Sequence, residues 1–571
     1  MKIKINNKII TCKKDQTILA VARENNIAIP SLCYHPDFCA RANCRVCVVE
    51  VKGCNKLLTA CSTKVTENME ISTESKRVKK ARVMNIELIF AEHAEKCSTC
   101  IWNINCHLLK MAKEYKIKIN RFPDRKGKRK TYKFANTVEI DGTQCIDCRN
   151  CVDACSTIQK IGYLEIKNKG FNQEIVPTQD KKKDCIYCGQ CAMHCPVSAA
   201  QEQGQWEVVE SIIKNKKQTN KVIVAQFAPA IRVSIGESFD LPYGKIMTDQ
   251  ISACLREIGF DYVFDVNSGA DITTIVEAKE LLERVVTPKS VLPMFTSCCP
   301  AWVKYIDFYR PDLKPNLTTA RSPQIHNGGA IKTYWAEKMN INPKDIVVVS
   351  VMPCTSKKFE AIRKDLKIKN NFPVDHVITT RELAWILKRK KINLAKIKPA
   401  KADNPFGKHS GAAAIYAGSG GVMESALRTA DYMAKQKDLS LANLKKAKEN
   451  SSRIEFKTVR NFAGIKEATV VVAGKKLRVA IVGGIGNIKP VLDNLSKYDY
   501  VEVMACPGGC IGGGGQPYPT TDEIRKKRIE ALYKIDKNKK IRQAHRNKEI
   551  LDFLEWLEEQ GEKLEHSVLH V

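Results

Sequence analysis

The chain has 571 residues, 44% hydrophobic and 27% charged, which is enough apolar material for several cores and excludes wholesale disorder. Lys and Arg outnumber Asp and Glu by 94 to 62, a formal net charge of +32, and there are 24 cysteines. No apolar run approaches a membrane span and no secretory leader is visible, so a reducing cytoplasm is expected, where disulfides account poorly for so many thiols.

Met1–Gln16 alternates apolar and polar residues and reads as a strand and turn. The first cysteine group follows: Cys33, Cys39, Cys44, Cys47 and, after a short strand, Cys61. A compact loop with a C-x2-C pair and a distant further cysteine is the pattern that wraps a 2Fe–2S cluster. Spacing leaves its first ligand open between Cys33 and Cys39. Next come His93, Cys97, Cys100 and Cys106. Three thiolates and one imidazole suit structural zinc or a 4Fe–4S cluster equally, and the surrounding iron–sulfur motifs favour the cluster. His107 is the alternative imidazole.

The third group is the most specific. Cys145, Cys148, Cys151 and Cys155 recur at identical spacing as Cys185, Cys188, Cys191 and Cys195, the latter followed by Pro196. This is the two-cluster bacterial ferredoxin run, in which the fourth thiolate of each run crosses to the other cluster. Cys145, Cys148, Cys151 and Cys195 then form one site, and Cys185, Cys188, Cys191 and Cys155 the other. Ser156 stands where proline is expected after the first run.

From about Trp206 the cysteines thin out. Strand-like runs (Lys221–Ala228, Ile346–Val351, Leu477–Ile481, Tyr500–Met504) alternate with amphipathic stretches such as Ile272–Val286, which argues α/β layering. The remaining cysteine motifs lie at or past strand ends: Thr296–Trp302 (TSCCPAW), Val351–Glu360 (VMPCTSKKFE) and Met504–Gln516 (MACPGGCIGGGGQ). Loops there are where α/β proteins place their sites. Cys298 and Cys299 are neighbours, so in extended backbone one side chain can ligate while the other stays free. Pro353 suits the start of a helix that would carry Lys357 over the face of Cys354. Glycines after Cys510 would let backbone N–H groups approach a bound group. Ile481–Asn487 (IVGGIGN) lacks the full dinucleotide fingerprint.

These three motifs resemble those of the iron-only (FeFe) hydrogenases, and the accessory motifs match, in order, the monomeric clostridial type. The resemblance implies α/β and α+β multidomain architecture: a 2Fe–2S β-grasp domain over 1–78, a His/Cys3-ligated 4Fe–4S domain over 79–120, a two-cluster ferredoxin domain over 121–205, and a two-lobed catalytic domain over 206–571. It favours Cys33 over Cys39 as the first 2Fe–2S ligand. It implies one 2Fe–2S cluster, three accessory 4Fe–4S clusters and an H-cluster, a 4Fe–4S cube joined to a two-iron subsite carrying CO, cyanide and a dithiolate amine. Cys299, Cys354, Cys506 and Cys510 would hold the cube, with Cys510 bridging. Cys298 would pass protons, and Lys357 would hydrogen-bond a cyanide. Glu277, Glu280 and Arg284, whose helical spacing alone reads as a solvated face, would with Thr318 carry protons between Cys298 and solvent. Pro229, Gln324, Met352, Met504 and Tyr416 align with residues around the two-iron subsite. Ala230, Ala301, Thr318 and Tyr416 depart from the residues usual in the family.

The activity implied is reversible reduction of protons to H2, with an acidic ferredoxin and the maturation proteins of the two-iron subsite as partners and the chain as a monomer. Rival readings are a pure electron carrier like the iron–sulfur subunit of respiratory NADH dehydrogenase, an assembly-type homologue and a hydrogen sensor. Cys12, Cys39, Cys54 and Cys254 remain as ordinary residues, and Lys537–Val571 reads as a polar helix. Nucleic acid fits the charge poorly, because basic runs such as Arg121–Lys133 lack interleaved aromatic platforms.

Overall fold

The computed structural model describes residues 1–103, 106–436, 441–445, 455–462 and 464–571. Its first sheet has the strand order Lys8–Thr11, Lys2–Ile5, Glu70–Ser72, Val48–Val51, Leu58–Thr59. Alternation sets the register: Ile3 and Ile5 turn into the core while Lys2 is exposed. Helix Ile18–Glu24, capped by the Thr17 hydroxyl, buries Ile18, Leu19 and Val21 against them, completing a β-grasp unit. The loop between this helix and Val48–Val51 carries the first cysteine group.

Helix Lys76–Ala91 leads to His93, and helix His107–Glu114 begins beside Cys106, whose sulfur accepts the Leu109 N–H at 3.5 Å. A three-stranded antiparallel sheet (Thr131–Phe134, Val138–Asp141, Ala200–Glu202) and the hairpin Leu164–Lys167/Glu174–Pro177 frame the two cysteine runs. The basic run 121–133 is largely paired inside the protein. Arg121 binds Glu87, Arg125 binds Glu92, and Lys126 and Arg129 both bind Asp147.

The larger unit has two sheets. One is wholly parallel, in the order Tyr262–Asp265, Val222–Phe227, Ile346–Met352, His376–Thr379. The other runs Met294–Phe295, Tyr500–Met504, Lys475–Gly483, Gly464–Val472, with only the last pairing antiparallel. Strands buried on both faces explain the near-continuous apolar runs in the sequence. Helix Val266–Val286 is buried over its first half; it starts ahead of Ile272 because the small residues preceding that position pack closely. A Cβ on Gly269 would meet the Pro323 carbonyl oxygen at 2.1 Å, so only glycine admits the neighbouring helix Pro323–Ala330 there.

The carboxyl-terminal segment is not one polar helix. It ends helix Asp522–Asn538 and forms Lys548–Glu559 and Glu562–Leu569, broken at Gly561 with φ +91°. Ile550, Phe553, Leu554 and Leu557 make an apolar stripe that is buried, so the helix is amphipathic. No helix among the described residues is long and apolar enough to cross a membrane.

Candidate active site

The carboxyl ends of parallel strands from both sheets converge. Val222–Phe227 leads to Pro229, Met294–Phe295 to Cys298 and Cys299, Ile346–Met352 to Cys354, and Tyr500–Met504 to Cys506. All of them line one apolar cavity, together with Gln324, Met352, Lys357, Tyr416, Met504 and Cys510. The residues expected around the metal centre therefore line one place, Pro229, Cys298, Cys299, Cys354 and Cys506 from strand ends and Gln324, Lys357, Tyr416 and Cys510 from helices and turns beside them.

Cys299, Cys354, Cys506 and Cys510 lie close enough that the charge on one raises the proton affinity of another; burial is the larger cause at Cys354, Cys506 and Cys510. Four facing sulfurs in an apolar pocket suit an iron–sulfur cube. Glycine is required around them for a steric reason. A Cβ on Gly513 would lie 2.2 Å from the Pro353 oxygen, and one on Gly514 would lie 2.6 Å from the Cys188 oxygen. The amides of Gly512, Gly513 and Gly515 donate to the backbone carbonyls of Gly509, Cys510 and Pro353. Gln324 Oε1, on the cavity wall, is buried without a partner, which fits a site built to receive a polar ligand.

Pro353 does not open the helix after Cys354. That helix is Ser356–Ala361, so Lys357 sits in its first turn and Cys354 in the preceding loop. The Lys357 ammonium lies 2.8 and 3.0 Å from the Glu360 oxygens, 2.8 Å from Ser322 Oγ and 3.1 Å from the Cys298 carbonyl. Burial would lower its pKa, but Glu360 holds it up, so the cation is fixed at the cavity. Cys298 is buried, and its pKa is driven well above the ordinary thiol value by burial and then by Glu277 and Cys299. It is a neutral thiol, able to give a proton.

Glu277 is wholly buried. Its Oε1 accepts the Tyr500 hydroxyl at 2.6 Å, and its Oε2 has no partner. Burial pushes its pKa up to about 8, against the pull of the Tyr500 bond. Thr318 Oγ1 donates to Glu280 Oε2 at 2.6 Å, and Arg284 donates to Glu280 Oε1 at 2.6 Å. Among the described residues no hydrogen bond joins Glu277 directly to Cys298 or Thr318, so a hydrogen-bonded water would be needed in each gap. Tyr416 presents its hydroxyl to Thr274 Oγ1 at 2.9 Å, which in turn meets Ser425. Sequence reasoning missed Glu360, Tyr500, Thr319 and His570. Tyr500 and Thr319 could have been found as polar neighbours of an expected site and Glu360 as the i+3 partner of Lys357, whereas His570 becomes a neighbour only through the fold.

In the first cysteine group Cys33, Cys44, Cys47 and Cys61 are buried and Cys39 is exposed. The Cys44 N–H lies 3.5 Å from Cys33 Sγ, and Cys47 and Cys61 interact directly. Arg41 grips Asp153 and Asn43 reaches the Asp147 carbonyl, docking this loop on the first ferredoxin run. His93 Nδ1 lies 2.8 Å from the Gln144 carbonyl, which assigns the proton to Nδ1 and leaves Nε2 as the ligating atom. Its pKa is lowered by burial, so it is neutral, and it shares a cleft with Cys97, Cys100 and Cys106. His107 instead packs edge-on against Tyr518.

The thiols of the two ferredoxin runs are neighbours in space. Burial is the largest cause that raises them, and beside it Cys195 acts on Cys145, Cys148, Cys151 and Cys191, while Cys155 acts on Cys185, Cys188 and Cys191. Cys188 also lines the main cavity. Ser156 sits in a π-turn, Ala154–Ile158, bonded to the Val152 carbonyl. The glycine-rich stretch 481–487 packs against this turn, where a Cβ on Gly486 would meet the Ile158 oxygen at 2.1 Å, so it presents no open phosphate loop. His35, Asp37 and His194 bring ligand-type atoms within 4.8 Å of one another, but Arg525 faces the same Asp37 oxygen at 3.8 Å and supplies the positive charge there.

Known proteins share this arrangement. The family described as iron only hydrogenase large subunit, C-terminal domain, matches residues 221–514, and iron hydrogenase small subunit matches 522–571. A 2Fe–2S domain matches 1–76, an NADH-ubiquinone oxidoreductase-G iron–sulfur region 82–121, and a 4Fe–4S dicluster domain 144–199. Iron hydrogenase 1 of Clostridium pasteurianum is 37% identical, over 99% of this chain and 98% of its own. A subunit of the NADP-reducing hydrogenase of Solidesulfovibrio fructosivorans is also 37% identical, over 100% and 98%. A solved [FeFe]-hydrogenase of Chlamydomonas reinhardtii superposes with a TM-score of 0.54 at 36% identity, covering 64% of this chain and 97% of that one.

Proposed function

The chain belongs to the iron-only (FeFe) hydrogenases, and from that premise we propose how its own residues make and split H2. It is an iron–sulfur hydrogenase whose substrates are protons and H2. The H-cluster, when bound, supplies the metal centre at which two protons and two electrons become H2.

Cys299, Cys354, Cys506 and Cys510 would hold the cube, with Cys510 the thiolate shared with the two-iron subsite, and Lys357, fixed by Glu360, would offer its ammonium to a cyanide. Pro229, Gln324, Met352, Met504 and Tyr416 shape a dry pocket around the two-iron end. Cys298, kept as a thiol by burial, delivers and recovers the proton, with Glu277, Thr318 and Glu280 behind it. One 2Fe–2S and three 4Fe–4S clusters would supply the electron path. The first would be held by Cys33, Cys44, Cys47 and Cys61, and the second by His93, Cys97, Cys100 and Cys106. The third would be held by Cys145, Cys148, Cys151 and Cys195. Cys155, Cys185, Cys188 and Cys191 would hold the last, and Cys188 also lines the catalytic cavity.

The electron donor is an acidic ferredoxin, steered by the chain's +32 charge, and the protein works in the cytoplasm as a monomer after its maturation proteins have delivered the two-iron subsite. The four units keep the bounds 1–78, 79–120, 121–205 and 206–571. A second reading of the donor is favoured by one relative. The S. fructosivorans protein is a subunit of an NADP-reducing enzyme, which would replace ferredoxin by a pyridine-nucleotide-linked partner subunit.

The observation that carries the catalytic reading is the meeting of four cube thiols, a free fifth thiol and a fixed ammonium in one buried cavity. Cys298→Ser tests it. The variant loads its clusters and loses nearly all turnover, whereas a substantially active Cys298→Ser enzyme refutes the relay.

A further inference from the structure

The relay needs an outer end that can exchange protons with water, and Arg284 is unsuited to be that end. A guanidinium does not deprotonate in proteins. This one is also tied down: it donates to Glu280 and to the carbonyls of Val291, Pro315, Asn316 and Leu317. Arg284 therefore anchors Glu280 and carries nothing itself.

A different chain leaves the same carboxylate. Thr319 Oγ1 lies 3.0 Å from Glu280 Oε2 and 2.8 Å from His570 Nδ1. The imidazole is half-buried on the wall of a surface cleft of about 770 Å³, shared with Lys279, Glu283, Glu558 and Glu565. Its position is fixed by backbone. The Val571 N–H donates to the Thr319 carbonyl at 2.9 Å, Arg321 Nε donates to the His570 carbonyl at 2.7 Å, and the Arg321 N–H donates to the Leu569 carbonyl at 3.0 Å. The carboxyl-terminal residues are thus zipped onto 319–321, with the ring beside the hydroxyl.

We propose that His570, acting through Thr319, is the proton-collecting residue of this hydrogenase. The inference rests on the Cys298–Glu277–Thr318–Glu280 relay proposed above. During H2 evolution a proton from water or buffer binds His570 Nε2. The Nδ1 proton passes to Thr319 Oγ1 and the hydroxyl proton to Glu280 Oε2, so His570 and Thr319 end with as many protons as they began and Glu280 holds the added proton until it passes inward. The ring, left protonated on Nε2, returns to its Nδ1–H form by losing that proton and regaining one on Nδ1 before the next cycle. During H2 oxidation the sequence runs backwards. Imidazole suits the task because it titrates near neutrality. The charged and titratable groups around it are Glu280, Lys279 and Glu283 on the long helix, Arg321 on the facing loop, His566 and Glu565 on the last helix, and Glu558 on the helix before it. Burial, with His566, Lys279 and Arg321, lowers its pKa on balance against the pull of Glu280, so the ring rests neutral and a proton taken from solvent is readily released.

The test uses the full, cluster-loaded enzyme. His570→Ala is expected to lower H2 evolution from reduced viologen at least about tenfold in weak buffer, and added imidazole is expected to restore the rate saturably. After a pH jump, relaxation of the infrared bands of the loaded site slows and recovers in parallel. Thr319→Val, which keeps the backbone bond to Val571, reproduces the loss by removing the link from the other side. An unchanged rate in both variants, or a loss in loaded His570→Ala that imidazole leaves untouched, overturns the proposal. Glu277→Gln separates the two levels: if it turns over normally the relay itself is wrong, and if it is inactive while His570→Ala is unaffected only the collecting role falls.

Discussion

Replacing Thr318 by valine removes one hydroxyl and almost nothing else. The side chain is 4% exposed, and valine occupies nearly the same volume. What goes is the 2.6 Å bond from Thr318 Oγ1 to Glu280 Oε2. Glu280 does not become an orphan, since the Thr319 N–H and hydroxyl each reach the same oxygen at 3.0 Å and Arg284 holds the other at 2.6 Å. A hydrogen bond to a charged group contributes roughly 1.5–3 kcal/mol, and with the acceptor still served the loss falls at the low end, about 1.5 kcal/mol. That is too little to unfold the domain. The catalytic cost is of another kind. A positioned proton carrier contributes about 10²–10⁴ in rate, so a loss of about 100-fold, roughly 2.7 kcal/mol at 1.36 kcal/mol per decade, is the smallest effect consistent with an obligatory hydroxyl. Thr318→Ser keeps the donor and is expected within about twofold of the parent. The assay is H2 evolution from reduced viologen, normalised to the infrared signal of the loaded site. A loaded Thr318→Val enzyme retaining clearly more than about a hundredth of the parent rate refutes an obligatory role.

Tyr500→Phe removes the bond that opposes burial at Glu277, so its pKa rises further above 8 and the alkaline limb of the pH–rate profile moves up. A profile that stays or moves down contradicts that assignment. The sign for stability follows from linkage. Because Glu277 binds its proton more tightly folded than unfolded, stability falls as pH rises from about 4.5 to about 8, and Glu277→Gln abolishes that component of the slope in denaturation curves. Lys357→Met leaves the Glu360 carboxylate buried without its cation and costs about 3–5 kcal/mol. Lys357→Met with Glu360→Gln recovers most of that in thermal unfolding, yet does not recover H2 output. Ferredoxin-driven H2 evolution falls steeply with ionic strength while viologen-driven evolution does not. A salt-insensitive ferredoxin rate rejects steering.

The metal-bearing part of this protein was legible because cysteine spacing is a covalent pattern: the duplicated runs ending at Cys155 and Cys195 have no competing explanation. The strand-end placement of Cys298, Cys354 and Cys506 was legible for a related reason, since apolar runs give the strands and the site follows at their carboxyl ends. Glu360 meets Lys357 one helical turn away and was passed over because such a pair reads as an ordinary surface one. Residues acting across the fold were not legible. His570 meets Thr319 across 251 positions, which no local pattern encodes. The start of helix Val266–Val286 was hidden because Asn267, Ser268 and Gly269 look like a turn by propensity and are held helical by tertiary packing. The basic run 121–133 proved to be tied down by Glu87, Glu92 and Asp147, so the excess of +32, which already counts those carboxylates, lies on other parts of the chain.

The most direct measurement is made on protein matured anaerobically with its two-iron subsite: H2 evolution from reduced viologen, with the infrared spectrum of the same sample. The predicted result is H2 production together with CO and cyanide bands. A sample that shows those bands and makes no H2 would contradict the assignment of this cavity as a working hydrogenase centre.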